Sequence, residues 1–230
     1  MLFYSGLSTL VSRVHVGLWP GVVGRLQTDI RRVYLTFDDG PSNSLTDILG
    51  LLERENARAT FFFSAAGADT RPLLIKDVLS AGHGIGVHGY DHLSAWRNRS
   101  SAIVRDQARS IKVLEAATGK RILWARPPYG CLTPALWNWY RRSGLRVALW
   151  DVDPADYRSA ATPENVCRFI RSSARPGSIV LLHEEGQAWE HGFDALAKLL
   201  SEMRADGWRF DALPEMRADG RRFDALPIST

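Results

Sequence analysis

The sequence predicts an α/β protein, a distorted (β/α) barrel with about seven parallel strands. Three observations lead there. Short apolar runs alternate with helix-patterned segments along most of the chain, the runs are apolar on both faces, and most end abruptly on a reactive side chain. Alternating strands and helices imply parallel strands joined by right-handed crossovers. A doubly wound open sheet is the alternative, but no glycine-rich phosphate loop follows the first strand, which argues against its dinucleotide-binding variety.

The first strand is the run Val33 to Phe37, stopped by Asp38-Asp39-Gly40-Pro41. Proline cannot donate to a ladder and Asp-Gly favours a turn, so both carboxylates stand at the C-terminal end of a strand. Ser42 to Asn56 is helical by the spacing of Leu45, Ile48, Leu49 and Leu52. Ala59 to Ser64 is the second strand. Arg71 to Ala81 is a short helix closed by Gly82, and Gly84 to His88 is the third strand. A longer helix buries Val104, Ala108, Ile111 and Leu114 and stops at Gly119, before strand four at Ile122 to Arg126. Thr133-Pro134 and Thr162-Pro163 each read as an N-cap followed by proline in the first turn. Between them lies strand five, Leu145 to Trp150. Ser178 to Leu182 is strand six. A helix carrying Phe193, Leu196, Ala197, Leu200 and Met203 ends at Gly207, and Trp208 to Asp211 is strand seven.

At 230 residues the chain is long enough for one sizeable core. The net charge of +4 comes mainly from arginines scattered in ones and twos, without a basic stripe interleaved with aromatics, so a nucleic-acid partner is not expected. Two cysteines are too few for a disulfide framework. Residues 1–30 read as an N-terminal arm, apolar at its start but without the basic flank or cleavage site of a secretory signal, and capable of peripheral membrane contact. This favours a cytoplasmic or membrane-associated location. Residues 31–214 carry the strand and helix alternation and read as the main domain. EMRADGWRFDALP at 202–214 recurs as EMRADGRRFDALP at 215–227, so 215–230 reads as a duplicated C-terminal tail.

The strand ends, in order, carry Asp38-Asp39, His88, Arg126, Asp151 to Asp156, and His183. In parallel α/β architectures these ends share one face, where active sites are built. His88 and His92 are four apart, which on a helical turn puts both imidazoles on one side. With Asp39 they make an oxygen and two nitrogens, a set that suits zinc or another divalent ion with an open position. Arg126 precedes Pro127-Pro128-Tyr129-Gly130, a rigid stretch, and faces carboxylates as a clamp. His83, flanked by glycines, reads as structural.

Taken together, Thr-Phe-Asp-Asp-Gly-Pro, His-x-x-x-His, Arg-Pro-Pro-Tyr-Gly, Asp-x-Asp-x-x-Asp-Tyr and Leu-Leu-His, in this order over about residues 32–214, resemble the polysaccharide deacetylase family, the NodB-homology domain. The resemblance implies that Asp39, His88 and His92 hold the metal, that Asp38 is the general base oriented by Arg126, and that His183 is the general acid, tuned by Asp153. It further implies an oxyanion contact from the backbone near Tyr129, an acyl-methyl pocket at Leu182, and a substrate groove shaped by Pro128, Tyr129 and Tyr157. Three positions depart from the family's usual pattern. Gly89 replaces a hydroxyl residue, which would leave the ligand loop less rigid. Tyr157 replaces Trp, and Glu184 replaces Asp.

The expected function is a metal-dependent N-deacetylase of a glycan or chito-oligosaccharide, using Zn2+, with Co2+ or another divalent ion as an alternative. Tyr90, Trp96, Tyr129, Tyr157 and Trp189 are candidates to stack on sugar rings. Two other readings stand beside it: deacylation, acetyl or formyl, of a small or lipid-linked amino sugar, and a carbohydrate-binding homologue without catalysis.

Overall fold

The structure is a computed structural model that describes residue 12 and residues 14–215. The predicted duplicated tail therefore lies, beyond Glu215, outside the described residues. A seven-strand ladder runs in the order β1-β6-β5-β4-β3-β2-β7. Its strands are β1 (Val22–Val23), β2 (Arg32–Asp38), β3 (Ala59–Phe63), β4 (Gly84–Val87), β5 (Trp124–Ala125), β6 (Arg146–Ala148) and β7 (Ile179–His183). A short β8 (Arg209–Phe210) pairs with the start of β2. Every strand pair is parallel.

From β2 to β6 each strand lies beside the one before it, always stepping in the same direction. A doubly wound sheet would reverse at a switch point; this sheet does not, and it curls as a barrel. β7 pairs along the other side of β2, with Asp38 level with His183. The gap between β7 and β6 is bridged by short contacts. Val152, just past β6, bridges Val180, and Leu181 N donates to Val152 O at 2.9 Å. The N-terminal arm fills the rest. β1 extends the sheet beyond β6, Arg25 bridges Ser178, and Leu26 N donates to Gly177 O at 2.9 Å. The sequence reading had no strand in the arm, because two residues are too few to show a period.

The helices α1 (Leu45–Arg54), α2 (Ala65–Thr70), α3 (Pro72–Ser80), α4 (Ser100–Thr118), α5 (Pro134–Arg142), α6 (Pro163–Ser173) and α7 (Asp194–Ala205) cover the sheet. Both Thr-Pro starts act as read: Thr133 Oγ1 accepts from Leu136 N and Thr162 Oγ1 from Asn165 N. The core is dense in aromatics, with Phe61 stacked between Phe37 and Phe63. Cys131 and Cys167 are free thiols. Among the described residues no helix is long and apolar enough to cross a membrane.

Gly177 is where the arm meets the barrel. Its φ is +86°, and a Cβ there would run into the Leu26 carbonyl. Gly177→Ala combines a left-handed conformation, costing about 1–2 kcal/mol, with displacement of the arm. A melting temperature several degrees below wild type is expected, at roughly 2–4 °C per kcal/mol for a chain of this size, with loss of hydrogen-exchange protection at the Leu26 amide. An unchanged melting temperature would show that the arm is not part of the cooperative unit.

Candidate active site

The C-terminal ends of the central strands are level and bring the expected residues together. β2 ends on Asp38, β4 leads into His88, β5 into Arg126, and β7 ends on His183. Arg126 is fully buried and spends its guanidinium across the barrel. Nη1 donates to Asp38 Oδ1 at 2.7 Å and to Thr36 Oγ1 at 2.8 Å, Nε to Ala148 O at 2.9 Å, and Nη2 to Leu149 O at 3.1 Å. The guanidinium also lies 4.2 Å from the Phe62 ring centre. Burial lowers the Arg126 pKa and the Asp38 charge opposes this.

Asp38 and Asp39 diverge because the backbone turns between them. Asp39 has a φ of 72°, a left-handed conformation that aspartate tolerates better than most residues. Asp38 remains buried inside the barrel, while Asp39 reaches out to the histidines. Its Oδ1 lies 3.4 Å from His88 Nε2 and 3.1 Å from His92 Nε2. The two imidazole Nε2 atoms are 3.2 Å apart. His88 Nδ1 faces the Arg126 carbonyl at 2.7 Å, so Nδ1 carries the proton and Nε2 presents its lone pair. Burial pushes the His88 pKa down despite the Asp38 and Asp39 charges, so the ring is held neutral. Burial alone would raise the Asp39 carboxyl, but the hydrogen bond with His92 and the surrounding imidazoles carry it well below its ordinary value.

Acceptor atoms from Asp39, His88 and His92 thus converge on one point. A tetrahedral ion with bonds of 2.0–2.1 Å requires its ligand atoms to be roughly 3.3 Å apart. The observed separations of 3.1, 3.2 and 3.4 Å match that requirement. The residues fit a divalent metal.

Helical spacing does not bring the two histidines together. The segment after β4 is a loop, with positive φ at Gly89 and at His92. Its brace comes from α4: Asp106 accepts from Tyr90 N at 3.0 Å and from Asp91 N at 2.8 Å, and Ser110 donates to Gly89 O at 3.0 Å. A Cβ at Gly89 would press on Asp106 and Gln107. The glycine therefore makes room for the brace, in place of the looseness expected from the missing hydroxyl. Sequence reading missed Asp106 and Ser110. Their signal was polar residues four apart on a face shared with Ile103 and Leu114, all of them buried.

Asp153 does not pair with His183. Its Oδ1 accepts from Ala155 N at 2.8 Å, as a turn-forming aspartate does. The partner is Asp156, fully buried, whose Oδ1 meets His183 Nδ1 at 2.9 Å and whose Oδ2 accepts from His183 N at 2.8 Å and Trp189 Nε1 at 2.9 Å. Burial works against the imidazolium, but the Asp156 hydrogen bond and charge, with Asp38 and Asp39 adding, raise the His183 pKa to about 9. Leu182 is also corrected. It pairs with Phe37 and is fully buried, whereas strand alternation places Leu181, paired with Thr36, on the barrel side with His183. Trp189 is buried, so it offers no stacking surface. Pro128 is buried against the Gly89 loop. Tyr129 packs on His92 with ring centres 4.6 Å apart, and Tyr157 packs edge-on to His183 at 5.0 Å. Glu184 Oε2 accepts from Ser42 N at 2.7 Å, and its carboxylate occupies the space a Cβ on Gly40 would need, so it braces the aspartate turn. Burial raises its pKa to about 7.

The His183–Asp156 pair has a definite pH signature. The folded-state pKa of His183 lies above its ordinary value, so the pair's stabilisation is complete below about pH 6.5 and disappears as pH rises through about 9. In Asp156→Asn, burial prevails and the His183 titration, read from its ring protons, should fall below 6.5. The stability lost relative to wild type should be largest at low pH and shrink toward pH 9. Asp153→Asn should leave the His183 titration in place. A shift from Asp153→Asn and none from Asp156→Asn would reverse the assignment.

The sequence model of the family described as Polysaccharide deacetylase matches residues 25–148. A peptidoglycan-N-acetylglucosamine deacetylase of Bacillus cereus is 34% identical over 181 residues, covering 77% of this chain and 84% of the relative. A chitooligosaccharide deacetylase of Azorhizobium caulinodans is 31% identical over 207 residues, covering 84% and 98%. Among solved structures, the Bc1960 peptidoglycan N-acetylglucosamine deacetylase superposes with a TM-score of 0.82 at 27% identity, covering 92% of this chain and all of that one. A CE4 family pseudoenzyme from Bacillus anthracis shares the fold, with a TM-score of 0.78 at 23% identity over 88% of this chain and 70% of its own. The chain belongs to the polysaccharide deacetylase family.

Proposed function

We propose that this protein is a metal-dependent hydrolase that removes N-acetyl groups from the amino sugars of a glycan or oligosaccharide. The observation that carries the reading is one end of the barrel where a three-ligand cluster, a clamped carboxylate and a carboxylate-paired imidazole meet. Fold likeness alone would not carry it, since a pseudoenzyme shares the fold. The names of the relatives, peptidoglycan and chito-oligosaccharide deacetylases, support a glycan substrate.

Asp39, His88 and His92 would hold the ion, with Zn2+ the first candidate for a set of two nitrogens and one oxygen. When bound, the ion supplies Lewis acidity, lowering the pKa of a water and polarising the acyl oxygen. Asp38 accepts the proton of the attacking water as general base. Arg126 holds the Asp38 carboxylate in place through Oδ1, leaving Oδ2, 3.7 Å from His88 Nε2, on the reacting side. The water oxygen bonds to the acyl carbon, the carbon–nitrogen bond breaks, and His183 Nε2 gives its proton to the departing nitrogen. Acetate and the free amine are the products. Asp156 keeps His183 protonated for that step. Tyr129 stands beside the cluster with its ring on His92, and its backbone amide is the candidate donor to the developing oxyanion. Leu181 faces the barrel side where the acetyl methyl would sit. Tyr129 and Tyr157, 65% and 42% exposed, flank the site as surfaces for sugar rings. Exposed Val14, Val16 and Leu18 support a peripheral membrane contact of the arm.

The two aspartates separate the roles. Asp39→Asn should weaken metal binding, with partial recovery of turnover in excess metal. Asp38→Asn should keep its metal yet stay nearly inactive at any metal concentration. His183→Ala should keep its metal and lose about 10²–10⁴-fold in turnover. Metal content by elemental analysis, beside turnover of acetylated oligosaccharides across a metal titration, checks all three. Metal rescue of Asp38→Asn would overturn the assignment.

A further inference from the structure

At the other end of the barrel, where β2 to β5 begin, lies a cavity of about 440 Å³. It shares none of its lining with the residues of the deacetylase site. Its charge is net positive. Arg32, Arg58, Lys120 and Arg121 line it, against the carboxylates of Asp211 and Glu215. Asp211 is already taken by Arg32, whose Nε lies 2.6 Å from Oδ2. Among the described residues Arg58, Lys120 and Arg121 have no carboxylate partner. Arg121 is oriented by donating Nη2 to Ser143 O at 3.0 Å, which leaves the rest of its fork available.

His83 supplies the second observation. It lines the cavity although it is only 5% exposed. Its Nδ1 accepts from Ala59 N at 3.2 Å, so its proton sits on Nε2. Burial, with the Arg58 charge adding, lowers its pKa to about 4, so the ring is neutral near pH 7 and Nε2 remains a donor. No hydrogen bond meets that Nε2 among the described residues. That donor keeps solvent contact at the cavity and is free to meet a ligand. Here it belongs to a concavity whose cations are also donors only. The core needs no such arrangement; an oxyanion satisfies all of it at once.

We propose that this cavity is an anion-binding site, separate from the deacetylase centre, that takes a phosphate-class oxyanion, either free or carried on a sugar. Arg58 and Arg121 pair with the anion, Lys120 adds charge at the rim, and His83 Nε2 donates from below. The volume exceeds what a bare phosphate fills, and Trp124 and Leu213 offer apolar walls for an attached group.

The test uses the full chain at low ionic strength. Inorganic phosphate and glucosamine 6-phosphate are titrated by calorimetry, with glucosamine as the neutral control, and the His83 ring resonances are followed in parallel. Saturable binding of a phosphate probe is expected, with a shift of the His83 signals and no response to glucosamine. Each of Arg58→Ala and Arg121→Ala should weaken binding roughly tenfold, the loss typical of a hydrogen bond to a charged group, while deacetylase turnover is kept. Tighter binding of the sugar phosphate assigns the site to a phosphorylated glycan, and equal binding assigns it to the free anion. Absence of saturable binding by both probes, or equal affinity in the Arg58→Ala/Arg121→Ala double variant, would overturn the proposal.

Discussion

The site depends on one buried ion pair. The Arg126 guanidinium, without solvent contact, joins Asp38 and Thr36 on β2 to the carbonyls of Ala148 and Leu149 at the end of β6. Its own carbonyl fixes the His88 tautomer. A single residue thus anchors the carboxylate beside the cluster, ties opposite sides of the barrel, and aims a nitrogen at Asp39 and His92. Taking both charges out of water is expensive, and the cost is offset only because the guanidinium's contacts are made and Phe62 covers it. Breaking such a pair from one side leaves a lone buried charge, a loss of about 3–5 kcal/mol.

Around this pair the working residues sit on turns held in uncommon conformations. Asp39, His92 and Tyr129 all have positive φ. Such residues persist when their surroundings over-determine them. Here the surroundings are polar side chains buried behind the site: Glu184 under the aspartate turn, Asp106 and Ser110 under the histidine loop, Asp156 under His183. Asp39, His92 and His183 keep solvent contact, while the groups that hold them are buried.

This division explains what the sequence made legible. Strand and helix alternation, the seven later strands and the level of their ends follow from apolar periodicity and from punctuation such as Gly40-Pro41 and Thr133-Pro134. Asp38-Asp39, His88 and Arg126 were visible because each ends an apolar run, and His92 by its spacing from His88. The residues behind them were not. Asp106 sits mid-helix with no local motif. Asp153 and Asp156 are chemically identical and three apart, and only the fold of the 151–157 segment decides which one turns to His183. Leu181 and Leu182 differ by one step of a two-residue period, which the register with β2 resolves. β1 is too short to carry a pattern and exists because β6 offers it an edge.

The central claim is that Arg126 and Asp38 act as one unit on which the site is built. A double-mutant cycle with Arg126→Met and Asp38→Asn, read by denaturant unfolding, tests it most directly. If the pair is one unit, Arg126→Met alone should destabilise by several kcal/mol, about 3–5. Adding Asp38→Asn should then restore much of that loss, because the stranded buried carboxylate is gone. Additive losses from the two changes would contradict the account.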